Sequence, residues 1–246
     1  MALLIKIGGA PFHFWFIEVI RHINWIQIIL LNTLQKIAPI ILISYTMYDF
    51  IRQNIITLSV ILSAILGGFG GFNQTFLVKI MAYSSLGHIG WILQSITIST
   101  YLWTVYFTVY CLLLSAICLI FRVFKIKHLT QMTNKSKEYV LVKIIVAFGL
   151  MSLGGLPPFS GFIGKIVVIQ YLMNNNQVLL TAILIISSLM NLFFYFRVFL
   201  NRIILSSDKN KFSILNKSLK DLPAANLTLI FNFVAIFLPS VILILT

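Results

Sequence analysis

Three uncharged apolar runs constrain the fold of this chain more than any other feature. They cover residues 55–72, 101–121 and 178–196. A helix needs roughly 20 mostly apolar residues to span a bilayer. Only 9% of the 246 residues are charged, whereas soluble domains contain about 25%. The sequence therefore predicts an all-α, polytopic membrane helix bundle that forms a single domain over residues 1–246.

About eight spans are expected from the apolar segments, and two of them should be broken helices. The interruptions are expected at Pro39 and in the stretch 154–162, where Pro157 and Pro158 lie between glycines. Proline removes a helix hydrogen bond and clashes with the preceding turn. Broken helices expose backbone polar groups, and in transporters they mark ion sites. The predicted spans are 1–20, 26–47, 55–72, 78–98, 101–124, 140–173, 178–203 and 224–245.

The net charge of +13 lies mainly in loops and not on one helix face, which argues against a nucleic-acid partner. If the spans alternate in direction, the loops at 21–25, 73–77, 125–139 and 204–223 share one side and carry most loop lysines and arginines. On the other side Arg52 is the only arginine or lysine. Basic loops stay on the side of insertion. They are therefore expected on the cytoplasmic or mitochondrial-matrix side.

Three lysines lie inside apolar segments and are the candidate catalytic residues for proton transfer: Lys6, Lys36 and Lys165. A charge at bilayer depth costs about 2.5–3.5 kcal/mol on the insertion scale. A lysine can avoid this cost by releasing its proton, which suits it to proton transfer. Carbonyls freed at a helix break, together with internal water, could also lower the cost at Lys165. The alternative is that each lysine extends along its aliphatic stem to the headgroups.

Two further residues, His88 and Lys79, are candidate relay groups on the segment 78–98. Histidine titrates near neutral pH, so His88 could carry a proton, although a packing role is equally consistent with the sequence. His13 lies in an aromatic stretch and is interpreted as an interfacial anchor. Glu18 and Arg21 are expected to form a surface pair.

The sequence contains no nucleotide-binding loop, metal-ligand cluster or catalytic triad. Cys111 and Cys118 are interpreted as packing residues in one apolar segment. We therefore expect no metal, cofactor or redox centre on this chain, and any redox chemistry must take place on a partner.

A series of motifs occurs in one order along the whole chain: KIGGAPFHFW at 6–15, QKIAP at 35–39, GGFNQT at 70–75, KIMAYSS at 79–85, HIGW at 88–91 and GGLPPFSGF at 154–162. This series is similar to chain 2 of mitochondrial NADH:ubiquinone oxidoreductase, or respiratory complex I, from an invertebrate. That family belongs to the antiporter-like subunits of the membrane arm. Four positions depart from the family pattern. Leu34 replaces a tryptophan, Ile17 replaces a proline, and Gly164 and Ile166 replace a proline and a tryptophan around Lys165.

The resemblance implies a proton-translocating subunit of complex I in the mitochondrial inner membrane, with basic loops in the matrix. Lys36 would be the central relay lysine, and Lys165 would lie toward the proton exit or the next subunit. Lys6 would pair with a glutamate of an earlier helix, which this sequence lacks, so further N-terminal helices are expected. His88 and Lys79 would lie along the connecting polar axis.

The resemblance also sets the expected partners. These are the other membrane-arm subunits and the lipid bilayer, while NADH, FMN, iron–sulfur clusters and ubiquinone would be used elsewhere in the complex. Two alternatives remain open: a stand-alone cation/proton antiporter, and a structural membrane-arm subunit without its own pump.

Overall fold

The computed structural model describes residues 1–47, 50–129, 140–157 and 159–203. In this part of the chain the regular structure is helical, apart from one isolated bridge between Phe76 and His128. The all-α prediction is confirmed, while the predicted span at 224–245 lies outside the described residues. The helices are α1 Ala2–Ile7, α2 Phe14–His22, α3 Trp25–Asn32, α4 Leu34–Tyr45, α5 Phe50–Gly70, α6 Leu77–Ile98, α7 Thr100–Val123, α8 Val140–Gly154, α9 Ser160–Asn174 and α10 Val178–Ile203.

Among the described residues, four helical stretches are long and apolar enough to cross a membrane. They are Trp25–Tyr45, Ile51–Gly70, Thr100–Val123 and Val178–Leu200. A membrane helix bundle is thus confirmed, while the count of about eight spans stays a prediction.

Helix α6 lies at the centre of the bundle and packs against α2, α4, α5, α7, α9 and α10. Almost all of its residues are buried. Its buried surface nevertheless includes several polar side chains. The buried polar residues of α6 are Ser84, Ser85, His88, Gln94 and Ser95.

Two glycines bring α5 and α6 into backbone contact. A Cβ atom built on Gly67 would lie 2.4 Å from the backbone nitrogen of Gly87. Small residues allow this kind of close approach between membrane helices. Because α6 carries the central polar residues, the contact fixes the position of the candidate site.

We expect Gly67→Ala to destabilise the bundle, because the added methyl group has no space against the α6 backbone. Overpacking of this kind costs about 1–3 kcal/mol and should lower the apparent melting temperature by roughly 2–10 °C. Gly9→Ala is the matched control, because a Cβ there would have its nearest neighbour 3.7 Å away. Thermal unfolding of the two variants in the same detergent checks this; equal melting temperatures would contradict it.

The predicted span at 1–20 is divided into α1 and α2, a break that the sequence did not predict. Gly8 ends α1 in a left-handed conformation with a φ of 75°. Its N–H donates to the carbonyls of Leu4 and Ile5. The next helix begins only at Phe14. The chain therefore has an interruption close to Lys6 as well as those near Lys36 and Lys165.

The interruption in the predicted span at 26–47 lies at Thr33, and the predicted position at Pro39 is wrong. Pro39 lies inside α4, which begins at Leu34. The Thr33 hydroxyl donates to the Ile29 carbonyl at 2.8 Å. Side-chain bonds of this kind compete with the helix backbone and bend helices. The break therefore precedes Lys36 instead of following it.

The predicted break in the span at 140–173 is confirmed. Helix α8 ends at Gly154 and α9 begins at Ser160. Gly155 has a φ of 79°, which a glycine adopts without steric cost. The two half-helices thus present a helix end inside the bundle.

The loops after α5 and after α7 meet at one end of the bundle, as the alternating topology predicted. The Leu77 N–H donates to the Lys127 carbonyl at 2.9 Å, and the Leu129 N–H donates to the Thr75 carbonyl at 3.2 Å. From α10, the Arg197 guanidinium donates to the carbonyls of Phe72 and Gln74 in the same region. Two connections predicted on one side, after α5 and after α7, therefore converge, and an arginine of α10 binds to the first of them.

Candidate functional site

Lys36 is buried beside the break between α3 and α4, with 1% of its surface exposed. Its Nζ donates to Oδ1 of Asn32 at 2.8 Å. The same nitrogen lies 4.6 Å from the centre of the Phe16 ring, a distance at which an aromatic face attracts a cation. Lys36 therefore does not extend to the surface, and the headgroup alternative is excluded for it.

Asn32 is a site residue that the sequence did not single out. It is fully buried and is the last residue of α3, so its side chain reaches Lys36 across the break at Thr33. Its Nδ2 donates to the Ile28 carbonyl at 3.0 Å, which fixes the amide and directs Oδ1 at the lysine. A polar residue at this spacing within an apolar segment was the available signal.

Lys165 is buried in α9, with 4% of its surface exposed. Its Nζ donates to the carbonyl of Gly154, the last residue of α8, at 2.7 Å. The same nitrogen also lies 5.7 Å from the centre of the Trp91 ring. A helix C-terminus carries partial negative charge that favours a cation. The break between α8 and α9 thus supplies the backbone oxygen expected from the sequence.

Three carbonyls at the end of α8 have partners in or near the following turn. Those of Met151 and Ser152 accept backbone N–H groups of that turn. The Gly154 carbonyl accepts from Lys165. Helix ends leave such carbonyls without a partner inside the helix, and here one of them binds a candidate site residue.

His88 lies on α6, which packs against α4 and α9, the helices that carry the two buried lysines. Its Nδ1 lies 3.1 Å from the hydroxyl of Tyr106, and its ring lies 4.9 Å from that of Tyr110. His88 is therefore placed where a proton could pass between two lysine environments.

A small cavity of about 20 Å³ adjoins His88. A cavity needs roughly 10–15 Å³ of this kind of volume to hold a water molecule. His88, Tyr106, Tyr110 and Ser160 contribute polar side chains to its lining. The cavity is therefore large enough for one water between α6, α7 and α9.

Lys6 and Lys79 are not brought into this cluster. Lys6 is exposed in the last turn of α1 and lines an open groove of about 480 Å³ that also includes Trp15, Gln35 and Pro39. Lys79 lies half-buried in the first turn of α6, with its Nζ 5.9 Å from the centre of the Phe76 ring.

Lys79 is also distant from His88 along α6. Nine residues correspond to about 13.5 Å of helix rise and to nearly opposite faces. Of the five predicted site residues, the structure thus groups Lys36, His88 and Lys165.

The remaining sequence candidates have local roles. His13 is buried, and its Nδ1 lies 3.2 Å from the Pro11 carbonyl in the turn before α2. Glu18 and Arg21 form an exposed ion pair at 3.6 Å, so that prediction is confirmed. Cys118 is buried and Cys111 is half-buried, and neither forms a disulfide.

A membrane helix bundle with half-helices beside buried lysines defines an antiporter-like membrane subunit. The family model described as "NADH:quinone oxidoreductase/Mrp antiporter, TM" matches residues 1–191. This chain belongs to that family.

Within the family, the chain is similar to NADH-ubiquinone oxidoreductase chain 2 of Anopheles gambiae, with 42% identity over 95% of this chain and 67% of the relative. The resemblance inferred from the motif series is therefore confirmed. The chain spans about two thirds of the length of this relative.

Two solved structures share the fold. Respiratory complex I from Thermus thermophilus contains a chain with a TM-score of 0.76 and 19% identity, covering 98% of this chain and 56% of that one. The Mrp complex from Dietzia sp. DQ12-45-1b contains a chain with a TM-score of 0.68 and 18% identity, covering 81% of this chain and 40% of that one. At these identities the likeness supports the fold alone.

Proposed function

We propose that this chain is a proton-translocating membrane-arm subunit of respiratory complex I. Electron transfer from NADH to ubiquinone in other subunits drives protons through its buried lysines. The observation that carries the proposal is the burial of two lysines, Lys36 and Lys165, on helices that both pack against α6, which carries His88. The similarity to a mosquito complex I chain supports the assignment to that complex.

The oxygens that contact the two lysines suit proton transfer. Asn32 Oδ1 and the Gly154 carbonyl are both neutral acceptors. Such an oxygen accepts a hydrogen bond from a lysine with or without its extra proton. A carboxylate would instead hold the lysine in its charged form. Both lysines can therefore change protonation state without losing their partners.

The remaining assignments follow from membership of the complex. The flavin, the iron–sulfur clusters and the sites for NADH and ubiquinone belong to other subunits, and this chain carries no redox centre. We place it in the mitochondrial inner membrane, with the converging basic loops on the matrix side. Its exposed apolar side chains contact lipid and neighbouring membrane-arm subunits.

Lys6 and Lys79 have peripheral roles in this proposal. Lys6, in its open groove beside Gln35 and Pro39, exchanges protons with a group outside the described residues. Lys79, at the basic end of α6, conducts protons between the matrix side and the polar centre.

Isolation of the native assembly separates this proposal from a stand-alone antiporter. Mitochondrial membranes are solubilised gently, resolved by native electrophoresis and stained for NADH oxidation. We expect peptides of this chain in the stained band, together with flavin and iron–sulfur subunits. Migration apart from that band, with cation-dependent proton flux in liposomes, would support the antiporter alternative instead.

Asn32 should be necessary for proton transfer at Lys36. We expect Asn32→Leu to slow coupled ubiquinone reduction roughly tenfold, because hydrogen bonds to charged groups contribute about 1.5–3 kcal/mol. Asn32→Asp should slow it as well, because a carboxylate retains the proton on Lys36. NADH-dependent ubiquinone reduction in membranes measures both effects.

The control for these variants is Asn73→Leu in the exposed loop after α5, which should behave like the parent. Parental rates in both Asn32 variants would show that the amide has no part in proton transfer.

A further inference from the structure

Tyr106 is a buried residue of α7 that no motif singled out. Its hydroxyl lies 3.1 Å from Nδ1 of His88. Its ring also borders the water-sized cavity beside that histidine. The Tyr106 hydroxyl is therefore within hydrogen-bond distance of the His88 imidazole.

The ring of Tyr106 lies directly against the backbone of α9 at Gly164. A Cβ atom built on Gly164 would lie 2.5 Å from Cδ2 of Tyr106, far inside van der Waals contact. Only a residue without a side chain fits there while Tyr106 keeps its position.

We propose that Tyr106 is a positioning residue for His88, and that Gly164 provides the space in which its ring is held. The inference rests on the proposed proton-translocating function. Tyr106 acts through the histidine and contacts neither lysine in this role.

A hydrogen bond and a ring contact from α7 orient the imidazole. The Tyr106 hydroxyl lies 3.1 Å from Nδ1 and holds that nitrogen in place. The centre of the Tyr110 ring lies 4.9 Å from that of the imidazole, so the ring limits rotation of the imidazole.

Loss of the hydroxyl would remove the hydrogen bond to Nδ1. The imidazole would then be free to rotate toward the cavity. The groups on the surrounding helices would remain: Lys36 of α4, Lys165 of α9 and Tyr110 of α7. We therefore expect slower proton transfer and a changed dependence of pumping on pH.

The test uses Tyr106→Phe, Gly164→Ala and the double variant in the assembled complex. Tyr106→Phe keeps the ring and removes only the hydroxyl. It should lower the rate of proton pumping roughly three- to tenfold and change the shape of its pH profile. NADH oxidation by an artificial acceptor should stay unchanged. Tyr101→Phe, on the exposed start of the same helix, is the matched control.

Gly164→Ala should produce the same loss by displacing the ring. The double variant should be no slower than the slower single variant, because both changes act on one contact. A His88→Leu background should remove any further effect of Tyr106→Phe. These three results support the proposal.

Parental pumping and a parental pH profile in Tyr106→Phe would overturn it, as would losses that multiply in the double variant. If Lys36→Met stops pumping while Tyr106→Phe does not, this inference fails and the proposed function stands. If Lys36→Met leaves pumping unchanged, the proposed function itself fails.

Discussion

Replacing Lys36 by methionine should abolish most of the coupled activity of the complex. Methionine fills a similar volume but cannot carry a proton between Asn32 and the rest of the polar centre. Positioned proton-transfer groups typically contribute about 10²–10⁴-fold, so we expect at least a tenfold lower rate of NADH-dependent ubiquinone reduction. NADH oxidation by an artificial acceptor should continue, because it bypasses the membrane arm.

The matched control for Lys36→Met is Lys125→Met, which removes a lysine that is exposed at the end of α7. It should retain the parental rate. Assembly of both variants is checked by native electrophoresis, because unpairing Asn32 Oδ1 costs about 1–3 kcal/mol. Parental coupled activity in assembled Lys36→Met complex would remove Lys36 from the pathway and would favour a structural subunit without its own pump.

The second large effect is expected at Lys165. Lys165→Met removes the cation at the end of α8 and leaves the Gly154 carbonyl without its partner. We expect a loss of coupled activity comparable to that of Lys36→Met, together with lower thermal stability. Rates of ubiquinone reduction and melting temperatures measured on the same preparation separate the two consequences.

Lys165→Arg distinguishes proton transfer from simple capping of the helix end. Arginine keeps the positive charge and the donors but does not release its proton in proteins. We therefore expect it to recover stability toward the parent without recovering pumping. Full recovery of pumping by arginine would mean that Lys165 supplies only a fixed charge.

Residue type and spacing were sufficient to predict the break between α8 and α9. Two prolines among glycines can form little else in an apolar segment, and the freed Gly154 carbonyl reaches Lys165 as expected. This feature depends on local chemistry, which a sequence displays directly.

Features that depend on contacts between helices were not predictable. The break near Lys36 occurs at Thr33 because two neighbouring side chains bond back to helix carbonyls, a competition with no strong signature. Gly164 stood out in the sequence only as a departure from a family pattern. The steric reason for a glycine there is its contact with the ring of Tyr106, which is distant in the sequence and could not be predicted from it.

The exposure of Lys6 shows the same limitation. An apolar neighbourhood predicted burial, but the turn from Gly8 to His13 separates α1 from α2 and leaves Lys6 in an open groove. Apolar composition indicates membrane depth, whereas burial depends on which helices pack together.

The most direct measurement of the central claim is the number of protons moved per NADH oxidised by the reconstituted complex. It should be made with Lys36→Met and Lys165→Met combined, beside the Lys125→Met control, under conditions where electron transfer to ubiquinone is still detectable. We predict a ratio clearly below that of the control, because the route through this chain is closed. A ratio equal to that of the control would contradict proton transfer through Lys36, His88 and Lys165.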